Sequence, residues 1–310
     1  MAINTKLVAT LLLLLLPLLA LFQTCHGETP GIAVYWGQDG REGTLTQACT
    51  SGLYSYVIIA FIFEYGGYQP PSVNLAGHCT PSLDNCKFIG PEITTCQNLG
   101  VKVLISIGGP FGGIQFLTDP DDAIYLADYI YNNFLGGSAP DRLFGDAVLD
   151  GVDFYIERQS SYLADLARHL HEYSTPEQKV YLSAAPQCPF PDLNIGTALN
   201  TGLFDYVWIQ FYNNPSCQYS SNSQNLIASW ITWTWYINAR YIFVGLPGSP
   251  EAPVSGYATP AQICYEILPY IRRSLHYGGV MIWSRYWDKI SSDIIKCVKR
   301  SNLIKSVADY

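Results

Sequence analysis

Residues 150–157 read Asp150-Gly151-Val152-Asp153-Phe154-Tyr155-Ile156-Glu157. Side chains alternate between faces along a β-strand. The stretch is therefore read as a strand with Asp153, Tyr155 and Glu157 on one face and Val152, Phe154 and Ile156 on the other. Two acids aimed to one side of an otherwise apolar strand are expensive to desolvate. Acids in such surroundings cluster at functional sites, so this strand is read as the carrier of a site.

Strand-like apolar runs recur on both sides of it, at 32–36, 56–63, 102–108, 180–185, 206–212, 241–246 and 279–284. Helical periodicity is clearest over 160–173, where Leu163, Leu166, Ala167 and Leu170 fall at i, i+3, i+4 and i+7. Segments 121–134, 226–238, 261–275 and 291–305 also read as helices. Eight strands alternating with helices predict an α/β fold, a single-domain (β/α)8 TIM barrel. Barrel active sites sit at the C-terminal ends of the strands. That rule puts Glu157 on the rim after the fourth strand, with Gln210 and Tyr212 after the sixth. Trp283 ends the eighth strand, and Tyr35 and Trp36 end the first. Acid and aromatic groups converging on one rim suit a saccharide cleft, and aromatics that merely plug the barrel top are the alternative.

The first 27 residues pair Lys6 with a nearly all-apolar run at 7–22. That is the pattern of a secretory signal peptide, with cleavage expected after Gly27. The run falls short of the ~20 residues a membrane span needs. Residues 28–310 are then one domain, expected outside the cell in the apoplast, with the vacuole as the alternative. The whole sequence carries a net charge of −8, which argues against binding nucleic acid or an anionic membrane. A monomer is expected. Nine cysteines fit a secreted chain. Cys25 lies in the leader, and no CxxC pair is present among the other eight, which excludes zinc-ribbon and thioredoxin readings. His169 and His171 are two apart on a helix and do not face together, so no metal site is read there.

The stretches GIAVYWGQDGREGTLTQAC (31–49), VNLAGHC (73–79), VLISIGG (103–109), FGDAVLDGVDFYIE (144–157), YLSAAPQCPFPD (181–192), ALNTGLFDYVWIQFYNNPSCQYSS (198–221) and YGGVMIWSRYWD (277–288) resemble plant class III chitinases of the hevamine type, in glycoside hydrolase family 18. The resemblance implies a (β/α)8 barrel, agreeing with the strand count, and no cofactor. It implies disulfides Cys49–Cys96, Cys79–Cys86 and Cys188–Cys217. Cys264 and Cys297 lie outside that framework and are expected to be buried thiols, with a fourth bridge as the alternative. It also implies the chemistry: retaining, substrate-assisted cleavage of β-1,4-linked N-acetylglucosamine, an exception to the two-carboxylate scheme. Glu157 matches the general acid of the family signature D-G-x-D-x-D-x-E. Tyr212 matches the tyrosine that hydrogen-bonds the acetamido group, and Tyr35, Gln210 and Trp283 match cleft residues.

Two positions depart from that pattern. Tyr155 stands where the signature has the Asp that orients the acetamido group and stabilises the positive intermediate. A phenol carries no negative charge at pH 7. Pro110 follows Gly109 where active relatives have Gly, and it adds bulk and removes an N–H. Segment 111–115 departs as well. Both changes resemble cereal xylanase inhibitors, which are disarmed barrels of the same family. Those block family 11 xylanases with an arginine on the loop after helix four, and the corresponding loop here, 174–179, has no Arg. Inhibition of a microbial xylanase is therefore the first reading, with family 11 doubtful and family 10, engaged through a different face, left open. Binding of chito-oligosaccharides as a lectin, low residual chitinase activity and a storage role are the alternatives. Glu157 is expected to accept a hydrogen bond from a neighbouring tyrosine.

Overall fold

The computed structural model describes residues 30–110, 114–291 and 294–299. The leader at 1–27, residues 111–113 of the departing segment and the end of the helix expected to reach 305 lie outside the described residues. Runs rich in Val and Ile form the strands β1 (Gly31–Trp36), β2 (Tyr56–Gly66), β3 (Gln69–Val73), β4 (Lys102–Gly108), β5 (Gly151–Tyr155), β6 (Tyr181–Ala184), β7 (Tyr206–Gln210), β8 (Tyr241–Pro247) and β9 (Tyr277–Trp283). Eight of these are parallel neighbours in the order β1, β2, β4, β5, β6, β7, β8, β9, and β9 pairs back onto β1 to close the barrel. The remaining strand, β3, folds back antiparallel on β2 as a hairpin. Its sequence QPPSV carries two prolines and does not read as a strand. Proline is tolerated here because β3 is an edge strand.

The helices are α1 (Leu45–Thr50), α2 (Ile89–Asn98), α3 (Pro120–Phe134), α4 (Leu163–Glu172), α5 (Gly196–Leu199) and α6 (Gln224–Tyr236). There follow α7, built in series from Pro260–Gln262, a π-helical piece Ile263–Ile267 and Leu268–Ile271, and then α8 (Arg285–Ser291). Residues 294–299 are also helical. Each of the eight expected barrel strands is present. The fourth stops at Tyr155 and the sixth at Gln210, two residues before the expected ends. Helices α1 and α2 escape the periodicity reading. The first has only six residues, held by a capping box between Thr44 and Gln47. The second opens on Ile-Gly-Pro and carries two threonines, a poor helix-forming composition.

Period-two alternation divides the core in two. Outward-facing residues such as Val57, Ile59, Val103, Ile105, Val152 and Phe154 pack beneath the helices. The inward set is strongly aromatic, with Tyr35, Tyr56, Phe61, Tyr155, Tyr206, Trp208 and Phe243 filling the barrel. Rings meet at centroid distances such as 4.8 Å for Tyr56–Tyr206 and 4.5 Å for Trp208–Phe243. Much of the aromatic content is thus barrel filling, the alternative weighed for the rim aromatics.

The three disulfides implied by resemblance are present, Cys49–Cys96, Cys79–Cys86 and Cys188–Cys217. The expectation of free thiols at Cys264 and Cys297 is corrected, because the two are bonded. Helix α7 and the helical segment 294–299 lie side by side and bring the Cα atoms to 5.9 Å, within disulfide range.

A buried polar cluster ties α8 to Tyr54, two residues before β2. The Tyr54 hydroxyl donates to Asp288 Oδ2, and Arg285 Nη1 donates to Tyr54 Oη at 3.2 Å. Burial pushes the Asp288 carboxyl up to about 6, opposed by the Tyr54 hydrogen bond and the Arg285 charge. A raised carboxyl holds its proton in the folded state after the unfolded chain has released it, so its contribution to stability falls as pH rises between about 4 and 6. We predict that the stability of the natural protein, relative to Asp288→Asn, drops by roughly 3 kcal/mol across that window. Urea unfolding of both proteins at stepped pH measures it, and a pH-independent difference would contradict the assignment.

Candidate active site

The strand register assembles the site. Ser106 of β4, Asp153 of β5 and Ser183 of β6 are direct neighbours across three strands. Asp153 is fully buried, and four donors converge on it. Its Oδ2 accepts from Ser106 Oγ at 2.6 Å and Tyr35 Oη at 2.8 Å. Its Oδ1 accepts from Ser183 Oγ at 2.6 Å and Trp208 Nε1 at 2.9 Å. Burial raises its pKa, and these hydrogen bonds oppose the rise. Every lone-pair direction of this carboxylate is spoken for, so it acts as a fixed centre of the barrel rather than a group facing a ligand.

Two residues further on, Tyr155 points the same way. Its ring lies against Tyr35, Phe61 and Trp283, with centroids at 5.3, 5.1 and 5.4 Å. Its hydroxyl donates to Gln210 Oε1 at 3.1 Å. Gln210 Nε2 donates to the Ala185 carbonyl at 2.7 Å, which fixes which end of the amide faces the phenol. Burial raises the Tyr155 pKa well above its ordinary value, so it is a neutral phenol at physiological pH.

Glu157 lies beyond the end of β5 and is half-buried. Burial raises its pKa, and the nearby Tyr155 hydroxyl, whose proton goes to Gln210, opposes the rise. Gln187 Nε2 contacts its Oε1 at 3.4 Å. Gln187 is held in turn by Asn214 Nδ2, which also donates to the Tyr212 carbonyl at 3.0 Å. Chemically this is a half-buried carboxyl group with a phenol, rather than a second carboxylate, beside it.

Close backbone approach shapes the rim after β4. The Gly109 N–H donates to the Tyr155 carbonyl at 2.9 Å. A Cβ on Gly108 would fall 2.1 Å from that oxygen, and one on Gly109 would strike the Phe61 ring at 2.8 Å. Both glycines also have φ near +100°, a conformation side chains rarely adopt. Pro110 follows, half-buried.

The sequence-predicted site residues divide by depth. Tyr35 and Gln210 are fully buried and support the rim from below, and Tyr212 is also buried, with its hydroxyl lacking a well-formed hydrogen bond. Trp283 is partly exposed and reaches the surface. Sequence reasoning missed Ser106, Ser183 and Trp208 around Asp153, and Gln187 and Asn214 behind Glu157. The signal for the first three was a polar-capable side chain at an inward position of an apolar strand.

The acid after the fourth barrel strand and the aromatics on the same rim lie at the C-terminal ends of the strands, where the sites of such barrels are built. Residues 31–249 match the family model for glycosyl hydrolases family 18, and the chain belongs to that family. It is 53% identical over 285 residues to an acidic endochitinase of Vitis vinifera, covering 90% of this chain and 94% of that one. Among solved structures it is similar to the chitinase ICChI of Ipomoea carnea, with TM-score 0.83, 44% identity and coverage of 86% and 100%. It is also similar to a xylanase and α-amylase inhibitor protein of Scadoxus multiflorus, with TM-score 0.82, 41% identity and coverage of 88% and 99%.

Tyr155→Phe leaves Gln210 Oε1 buried without its donor. We predict a loss of roughly 1–3 kcal/mol in urea unfolding. The same change removes the hydroxyl whose influence lowers Glu157, so its carboxyl titrates higher than in the natural protein. Carbon-detected NMR of the glutamate carboxyls reads that shift, and an unmoved Glu157 would show that the phenol does not act on it.

Proposed function

We propose that this chain is a secreted, chitinase-like defence protein in which chitin hydrolysis is crippled, and that it inhibits microbial xylanases. One observation carries the first half. The position two residues before Glu157 holds a neutral phenol packed among Tyr35, Phe61 and Trp283 and bonded to Gln210. Substrate-assisted cleavage develops positive charge on the acetamido-derived ring, and a phenol offers it no counter-charge. Terms of this electrostatic kind are usually large. Pro110, beside the same rim, removes a backbone N–H where active relatives have Gly.

The second half draws support from the similarity to the Scadoxus inhibitor over nearly the whole fold. The loop at 174–179 lacks arginine, and its one cation, Lys179, is committed to an ion pair with Asp205. This argues against the family 11 mode and favours a family 10 xylanase engaged through another face. The leader at 1–27 supports secretion.

The natural protein is expected to turn over chito-oligosaccharides about 100- to 1000-fold more slowly than its Tyr155→Asp variant, with Pro110→Gly adding to the recovery. It is expected to suppress a family 10 xylanase at stoichiometric amounts. Hydrolysis by the natural protein at the rate of the variant would overturn the first half. A xylanase unaffected by excess protein would overturn the second, and saturable chito-oligosaccharide binding would then favour a lectin.

A further inference from the structure

Helix α6 turns toward solvent residues that a surface helix normally keeps inside. Ile231 and Trp235 are four apart and share a face, and Trp235 is 81% exposed. Tyr270 of α7, 52% exposed, stands across from them. The Arg273 guanidinium lies 5.6 Å from the centre of the Tyr270 ring. Between the two helices is a cavity of about 610 Å³, floored by buried Trp230 and rimmed by Thr234, Ser274 and His276. His276 also borders a second cavity of about 410 Å³ whose lining includes Lys179, Arg240 and His171. The second cavity is lined by residues that immediately precede β6, β7, β8 and β9. The groove therefore runs along the N-terminal side of the barrel, at the opposite end from Glu157.

Its charge runs against that of the molecule. The sequence carries a net charge of −8, yet among the described residues no acid lines the first cavity. The second contains a single acid, Asp205, paired with Lys179. Cations and exposed flat rings are thus concentrated in one groove, and a clustered sign of charge attracts its opposite. An indole and a phenol face suit the C–H face of a pyranose ring. Hydroxyl and imidazole groups at the edge suit its hydroxyls, and guanidinium groups suit carboxylates, which they bind in a planar fork. A stable protein interface needs about 800 Å² from each partner. Two cavities that share His276 in their lining are better matched to a single extended chain.

We infer that this groove binds an acidic polysaccharide, a chain of pyranose rings carrying uronate carboxylates, independently of the barrel rim. The test titrates the full mature protein by calorimetry with oligogalacturonides and with neutral chito-oligosaccharides. Saturable binding of the acidic chain is expected, weakening as salt rises and not competed by the neutral one. Trp235→Ala and, separately, Arg273→Gln each weaken it about tenfold or more. Both side chains are exposed, so the variants keep the fold. The absence of saturable binding, equal binding of neutral chains, or indifference to both variants would overturn the inference. So would a concentration-dependent dimer that Trp235→Ala dissolves without any acidic-saccharide binding, which would give this face to a second copy of the chain.

Discussion

The Asp153 carboxylate is the constraint on which the rest of the barrel depends. It sits on β5, and its four donors come from β1, β4, β6 and β7. One buried side chain therefore fixes the relative height of five of the eight barrel strands. A buried acid with even one missing partner would be strongly destabilising, because the desolvation penalty is then uncompensated. This satisfied network costs little by comparison and allows one register only. The rim inherits that precision. Tyr155 and Glu157 follow on the same strand, and Trp283 packs on Tyr155.

The fold was legible because its signal is local. Apolar runs of strand length, separated by helical periodicity, recur often enough to imply a closed barrel without knowledge of any contact. Asp153, Tyr155 and Glu157 were legible for a related reason, since alternation assigns their face within eight residues. What surrounds them was not. Ser106, Ser183 and Trp208 are unremarkable in sequence and become partners of Asp153 only through register between strands far apart in the chain. The hairpin strand Gln69–Val73 hides behind two prolines, which an edge position tolerates. Cys264 and Cys297 illustrate the same limit, because whether two cysteines meet depends on how two helices lie together.

The aromatic content had two readings, a sugar-stacking surface or a filled barrel, and the structure distributes it to both ends of that choice. Most inward rings are sealed beneath the rim, where they pack edge to face, tilted or stacked against one another. Tyr155 belongs to this buried set as much as to the site. Two positions before Glu157, Tyr155 joins the core and makes a hydrogen bond to Gln210, where the family signature has a charge. Trp235 and Tyr270 lie outside this logic, since they sit on the surface with no ring cluster to fill.

The bond between Cys264 and Cys297 encloses β9, the strand that closes the barrel against β1. A protease cut anywhere between those two cysteines would leave both fragments covalently joined. The severed piece would stay tethered at high effective concentration beside its partner strands. Damage to that part of the surface is thereby converted from dissociation into a local, reversible opening.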